Sequence, residues 1–202
     1  MRVSHLPIGC APRLTKGLST YDRIVDHYIR EVRDRARDEN RWFAIQRTLS
    51  DAVEVAAMAR SRSGKRLHHQ RRIPTPTLRA FADRLKRVAA RLRKAKSFEQ
   101  LHDVIVGEAR DLHGIGSLTA YDAALRIGAF LKLEPDRIYL HTGTREGAKV
   151  FGLGDREWIT ASELPASFRR LHASEIEDVL CIYRDELAAI RRKEFAQSKS
   201  RS

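Results

Sequence analysis

The spacing of apolar residues is the feature that most limits how this chain can fold. Along most of the sequence they recur at every third and fourth position rather than alternating, which is the period of an amphipathic helix. Glycine and proline residues divide this pattern into segments of helical length. The sequence therefore predicts an all-α fold, a bundle of about seven to eight helices.

Polar residues indicate where several of these helices begin. Ser19 or Thr20 is expected to cap the first helix, and the next is expected to carry the apolar residues from Trp42 to Ala57. The prolines within residues 61–77 predict a basic loop there, with Thr77 as the following cap. Further helices are predicted to start at Ser97, Ser117, Thr144 and Ser174.

At 202 residues with 42% hydrophobic side chains, the chain is long enough to bury a core. We expect an N-terminal extension over residues 1–18, a single all-α domain over 19–196 and a disordered tail over 197–202. The alternative of two subdomains would place a seam near residues 94–98.

The lengths of the apolar runs and the number of cysteines indicate the cellular compartment of the protein. No apolar run approaches the roughly 20 residues that a membrane-spanning helix needs, and the N-terminus has no signal-peptide pattern. The two cysteines, Cys10 and Cys181, are too few for a disulfide framework or a zinc cage. The sequence predicts a reduced, cytoplasmic protein of bacterial type, with no membrane partner.

The positive charge is concentrated in one segment. The chain has 39 Lys and Arg against 26 Asp and Glu, a net charge of +13. Fourteen of those cations lie between Arg60 and Lys96, where Asp83 is the sole acid, and the remainder is balanced at 25 and 25. A neutral body with one cationic segment is typical of a polyanion binder, because neutralised phosphates release counterions. A solubilising surface is the alternative.

The segment from Leu112 to Ala120 has the sequence Leu-His-Gly-Ile-Gly-Ser-Leu-Thr-Ala, which is typical of a phosphate-binding turn between two helices. Two glycines around Ile115 allow a tight turn between two amphipathic helices, and Ile115 is expected to fill the groove between them. The second helix then begins with several unpaired amides, which can bind a phosphate oxygen together with the helix dipole. An ordinary αα-hairpin with a glycine C-cap remains the alternative.

A second segment, Tyr139 to Leu153, extends this pattern. Together the two segments resemble the helix-hairpin-helix DNA glycosylase superfamily, whose L-P-G-[IV]-G-x-x-T-A hairpin precedes a D-T-H-x-x-R segment. The resemblance covers about forty residues, 112–153, and implies a glycosylase-like helical bundle, a DNA grip at the hairpin and base excision in DNA repair. In the second segment the residues that carry the resemblance are Thr142, Arg145, Ala148, Lys149, Gly152 and Leu153.

The chain departs from that family's pattern at three positions. His141 stands where the catalytic aspartate would fall, Leu118 replaces the lysine of bifunctional members, and His113 replaces the proline. The resemblance therefore implies a monofunctional activity with a non-standard residue set, if any chemistry occurs. Without a four-cysteine loop we expect no iron–sulfur cluster and no other cofactor. The candidate catalytic residues are His141, Glu146 and Tyr139.

His68 and His69 are the one pair of residues that suggests a metal site. They have no neighbouring carboxylate or cysteine in the sequence, so no metal site is expected.

The remaining candidates concern nucleic-acid binding. The favoured partner is double-stranded DNA, which implies a nucleoid-associated protein; an RNA-binding or nucleoprotein-assembly subunit and a helical module for an acidic protein are the alternatives. The candidate nucleic-acid-binding residues are Gly114, Ile115, Gly116, Ser117, Thr119, Lys65, Arg66, Arg71, Arg72, Arg84, Arg87, Arg91 and Arg145.

Overall fold

A computed structural model describes residues 20–199, and the all-α prediction is confirmed for them. The extension over residues 1–18, Ser19 and residues 200–202 lie outside the described part. The ten α-helices are α1 (Tyr21–Glu31), α2 (Arg33–Ala44), α3 (Leu49–Ala57), α4 (Thr75–Arg87), α5 (Ala89–Lys94), α6 (Phe98–Ala109), α7 (Ser117–Leu131), α8 (Thr142–Lys149), α9 (Ala173–Ile182) and α10 (Arg184–Lys199). Strands β1 (Ile138–Tyr139) and β2 (Trp158–Ile159) form one antiparallel pair.

Short 3₁₀ helices complete the secondary structure, at His68–Gln70, Ala161–Glu163 and Ala166–Arg170. Within residues 20–199, no helix combines the length and the apolar character that crossing a membrane requires. Residues 197–199 belong to α10, so over these three positions the expected disordered tail is instead helical.

The chain divides into two compact units. The inserted unit is Arg35–Pro135, and the flanking unit comprises the chain up to Asp34 together with the chain from Asp136. Both boundaries lie far from residues 94–98, the place of the alternative seam. There, Ala95 to Ser97 only join α5 to α6 within the inserted unit.

Three breaks explain why the helices outnumber the seven to eight expected. Val32 separates α1 from α2, Val88 separates α4 from α5, and Tyr183 separates α9 from α10. Val88 and Tyr183 have ψ angles of 19° and 21°, outside the helical range. Because the apolar period continues through each break, the spacing of residues alone could not reveal them.

Several helix starts agree with the sequence and others do not. Thr20 and Ser97 accept hydrogen bonds from the amides of Arg23 and Gln100, and α7 starts at Ser117 as predicted. The prediction of one helix through Trp42–Ala57 is wrong. Helix α2 ends at Ala44, and Thr48 caps a separate α3 by accepting a hydrogen bond from Asp51 N. Helix α4 starts at Thr75 rather than after Thr77, since Pro76 fits within a first turn.

The last two starts are also shifted. Helix α8 begins at Thr142, two residues before the predicted Thr144. Helix α9 begins at Ala173, one residue before the predicted Ser174, and His172 as N-cap forms a capping box with Glu175.

The core of the flanking unit brings α1, α8, α9 and α10 around the β-ribbon. Ile24, Tyr28, Ile176 and Leu180 are fully buried there. The backbones of α8 and α9 approach closely at Gly147: a Cβ added there would lie 2.7 Å from the carbonyl carbon of Leu180 and closer still to its oxygen. Only glycine fits this contact without displacing a helix.

The inserted unit has its own core. Helix α7 packs on α3 and α6, and its small residues Ala120, Ala123 and Ala124 are buried. Larger side chains from α4, α5 and α6 fill the remaining space; among the fully buried ones are Leu78, Phe81, Leu85, Leu92, Leu101 and Ile105. This packing fixes α6 and α7, the two helices that flank the hairpin.

Candidate nucleic-acid interface

The hairpin between α6 and α7 turns through two residues with positive φ. Asp111 and Gly114 have φ of 64° and 91°. The amide of Ile115 donates to the carbonyl oxygen of Leu112 at 3.0 Å, which closes the turn. Gly116 is the N-cap of α7, in extended conformation. The strained φ at Gly114 favours glycine, whereas the φ of −89° at Gly116 suits any residue.

The first turn of α7 leaves amides available. The first hydrogen bond at this helix start runs from Ala120 N to Gly116 O at 3.1 Å. The amides of Ser117, Leu118 and Thr119 have no acceptor among the residues that the structure describes. Gly114, Gly116 and Ser117 are exposed, Ile115 is half-buried, and the Thr119 side chain is buried.

The glycines of this turn face open space. A Cβ on Gly116 would meet no atom within 4 Å, and one on Gly114 would meet only the Thr77 methyl group at 3.9 Å. The contact with Thr77 places the turn beside the first turn of α4. Since nothing inside the protein requires a glycine at position 116, this position is suited to a close approach of an external group to the backbone.

Arg84 supports the hairpin from within the protein. Its guanidinium donates to the carbonyl oxygens of Glu108 at 3.2 Å and Arg110 at 3.0 Å, at the C-terminus of α6. Arg91 forms an ion pair with the Glu108 carboxylate at 3.2 Å. These two predicted DNA ligands are thus engaged in holding the end of α6.

Three further cations of the basic segment have internal partners. Arg66 donates to Ile73 O and Thr75 Oγ1, both at 2.7 Å, and so ties its loop to the start of α4. Arg79 and Lys86 both bind Glu54. Partial burial would raise the pKa of Glu54, but the hydrogen bonds from Lys86 and Arg79 outweigh it and hold that pKa below its usual value.

The other nine cations of the segment are exposed. Within residues 20–199 their side chains have neither a hydrogen bond nor an ion pair. They are Arg60, Arg62, Lys65, Arg71, Arg72, Arg87, Arg93, Lys94 and Lys96. The predicted ligands Lys65, Arg71, Arg72 and Arg87 therefore remain available, whereas Arg66, Arg84 and Arg91 are engaged.

The two units differ sharply in charge. The inserted unit has 21 Lys and Arg against 11 Asp and Glu, a net charge of +10. The described part of the flanking unit has 14 against 15, which is nearly neutral. The hairpin and the excess of positive charge therefore belong to the same compact unit.

A buried polar network that the sequence did not indicate lies in the inserted unit. Gln70 is 1% exposed; its side-chain amide donates to Asp122 Oδ2 at 2.5 Å, and its oxygen accepts from Arg126 at 3.4 Å. Arg126 also binds Asp122 at 3.1 Å and lies over the ring of Phe43. The Asp122–Arg126 spacing of four was visible in the sequence, but Gln70, 52 residues away, was not.

Two further titratable groups adjoin this network. His69 Nδ1 lies 3.9 Å from Asp122 Oδ2. Burial, and to a smaller degree the Asp122 charge, raise the pKa of Glu39, although Arg126 opposes the shift. Its ionised form is therefore disfavoured at this place in the fold.

The candidate catalytic residues lie on β1 and α8 of the flanking unit. His141 is buried as the N-cap residue of α8, and Tyr139 is buried in β1 opposite Trp158. Glu146 is exposed and paired with Lys149 at 2.7 Å. The structure thus brings Tyr139 and His141 to the entry of α8, whereas Glu146 has the ion pair of an ordinary helix surface.

Arg145, predicted to bind nucleic acid, is occupied by backbone oxygens. Its guanidinium donates to Leu140 O and Arg156 O, both at 2.9 Å, and to Gly154 O. These bonds tie the loop before β2 to the start of α8. With three carbonyl partners, the Arg145 guanidinium stabilises the local backbone.

Comparison with known proteins adds no relative: no family model matches the chain, and neither a curated sequence nor a solved structure is significantly similar to it. The helix-hairpin-helix resemblance therefore stays a prediction that rests on residues 112–153.

Proposed function

We propose that this protein binds double-stranded DNA through its inserted unit. The observation that carries the proposal is the exposed turn at Gly114–Gly116, which opens onto unbonded amides in the unit that holds the net charge of +10. Amides at a helix N-terminus bind a phosphate oxygen without side-chain charge, and surrounding cations add a salt-dependent attraction. This role implies a nucleoid-associated protein.

The free cations define where the duplex would lie. One group, Lys65, Arg71 and Arg72, belongs to the loop that Arg66 ties to the start of α4, beside the hairpin. A second group, Arg87, Arg93, Lys94 and Lys96, belongs to the end of α4, α5 and the segment after it. Both groups offer positive charge to phosphates, and none of their side chains is held where it could read a base edge, so we expect little sequence preference.

A salt series on a labelled duplex tests the proposal. Each cation that contacts a phosphate contributes about 0.9 to the slope of log K against log salt concentration. Replacing Arg71 and Arg72 with alanine should flatten the slope by about 1.8. Absence of duplex binding at low salt would contradict the proposal, and preferential displacement by structured RNA would favour the RNA-binding alternative.

Base excision is the second candidate function, and it depends on the resemblance. The burial of His141 at the start of α8, in a segment clamped by Arg145, is the observation that favours it, because a reacting group must be held rigidly. Alkali treatment of the bound duplexes reveals abasic sites. Strand cleavage on a duplex with a damaged or modified base would establish the activity, and a His141→Ala variant without cleavage would assign the residue.

A further inference from the structure

The loop that carries Lys65, Arg71 and Arg72 is fixed on two sides. On one side Arg66 binds Ile73 O and Thr75 Oγ1 at the start of α4. On the other side Gln70 lies between Asp122 and Arg126 of α7, the helix that follows the hairpin. Gln70 directly precedes Arg71 and Arg72, whose side chains are exposed.

The network has the properties of a rigid connection. Gln70 is almost completely buried, and the Asp122 and Arg126 side chains are 14% and 9% exposed. Arg126 also donates to Ala56 O of α3, so the network joins the loop to two helices. Buried polar groups that satisfy one another hold a single arrangement, because breaking any bond leaves an unpaired group in the interior.

We propose that Gln70 is a positioning residue that holds Arg71 and Arg72 in place beside the hairpin, so that loop and hairpin engage successive phosphates of one DNA backbone as a single preformed surface. The inference rests on the proposed function. Thr77 supplies the geometric link, since it lies two residues after Thr75, the partner of Arg66, and next to Gly114. Preformed contacts avoid the entropy of ordering a loop on binding.

A double-mutant cycle tests this coupling. Gln70→Met keeps the length of the side chain and leaves Asp122 paired with Arg126, but it removes both bonds to the loop. In the wild type, the Arg71→Ala/Arg72→Ala pair should flatten the salt slope by about 1.8; in the Gln70→Met background it should do so by less than half as much. The Arg93→Ala/Lys94→Ala pair should have the same effect in both backgrounds. Gln46→Met, which removes a bond to Trp42 O elsewhere in the unit, is the matched control.

If the Arg71→Ala/Arg72→Ala pair flattens the salt slope equally in both backgrounds, the inference is overturned. A wild type that binds no duplex would instead overturn the proposed function.

Hydrogen exchange on the wild type provides a measurement that needs no variant. The amides of Leu67, Gln70 and Ile73, which donate to backbone oxygens, should be protected in the free protein and gain little on adding DNA. Protection that arises only with DNA would show that the loop is ordered by its ligand, against the inference.

Discussion

The guanidinium of Arg84 lies 3.0 Å from the carbonyl oxygen of Arg110, where α6 gives way to the hairpin. A second bond to Glu108 O makes this side chain a cap for the C-terminus of α6. The cation on α4 thus holds in place the turn whose amides we propose as a phosphate site. Arg87, three residues further on, is exposed and has no such partner in the described part of the chain.

This contrast gives a paired prediction. Arg84→Ala should lower the free energy of unfolding by about 1–2 kcal/mol, because two carbonyl groups lose a charged donor. Arg87→Ala should leave stability within about 0.5 kcal/mol and flatten the salt slope of DNA binding instead. Thermal unfolding and the salt series on both variants check this; the reverse assignment would show that Arg84 faces the duplex.

Gly116 tests the approach of a phosphate to the backbone. A side chain at this position meets no protein atom within 4 Å and φ is ordinary, so Gly116→Val should change Tm by only a few degrees. It should weaken DNA binding at least tenfold by blocking the amides of α7. Gly107→Ala, also in open space on α6, is the control and should bind normally. Equal affinities for both variants would indicate a plain structural hairpin.

Gly147 is the corresponding test of packing in the flanking unit. Gly147→Ala would drive a methyl group into the backbone of Leu180, so we expect a loss of about 2–3 kcal/mol or more. Gly107→Ala should instead stabilise slightly, since alanine favours a helix interior. Urea unfolding compares the two. A Gly147→Ala protein as stable as the wild type would show that α8 and α9 are not in backbone contact.

Glu39 predicts a pH-dependent effect on stability. Because burial raises its pKa, the folded state disfavours the ionised form, and the stability of the protein should fall as pH rises from the unfolded pKa through the folded one. Glu39→Gln removes that penalty, so it should raise Tm at pH 7 but not at pH 4, where the wild-type carboxyl is already protonated. A variant less stable than wild type at pH 7 would contradict this sign.

The helical class and the start of α7 could be predicted because periodicity and glycines act locally. Ser97 marks the start of α6 by accepting a hydrogen bond from Gln100 N, and at the start of α7 the carbonyl oxygen of Gly116 accepts one from Ala120 N. The partners of Arg66, Arg84 and Arg145 could not be predicted, since a long cation can bind a phosphate or a nearby carbonyl oxygen and only the tertiary fold decides. For the same reason the pairing of Gln70 with Asp122 left no local signal.

The division into two units was also beyond the sequence pattern. Neither Asp34 nor Pro135 lies in a Gly- or Ser-rich linker, and the apolar period of the helices carries no information on which core they join. The distribution of charge along the sequence, by contrast, does indicate which part of the chain is exposed and cationic. The segment Arg60–Lys96 lies entirely within the inserted unit, and nine of its fourteen cations are exposed without a partner among residues 20–199.

The most direct test of the central claim is the slope of log K against log salt concentration for a short duplex, measured for the wild type and the Arg71→Ala/Arg72→Ala variant. We predict a steep negative slope for the wild type and one flatter by about 1.8 for the variant. Two identical slopes, or no binding by the wild type at low salt, would contradict DNA binding through the inserted unit.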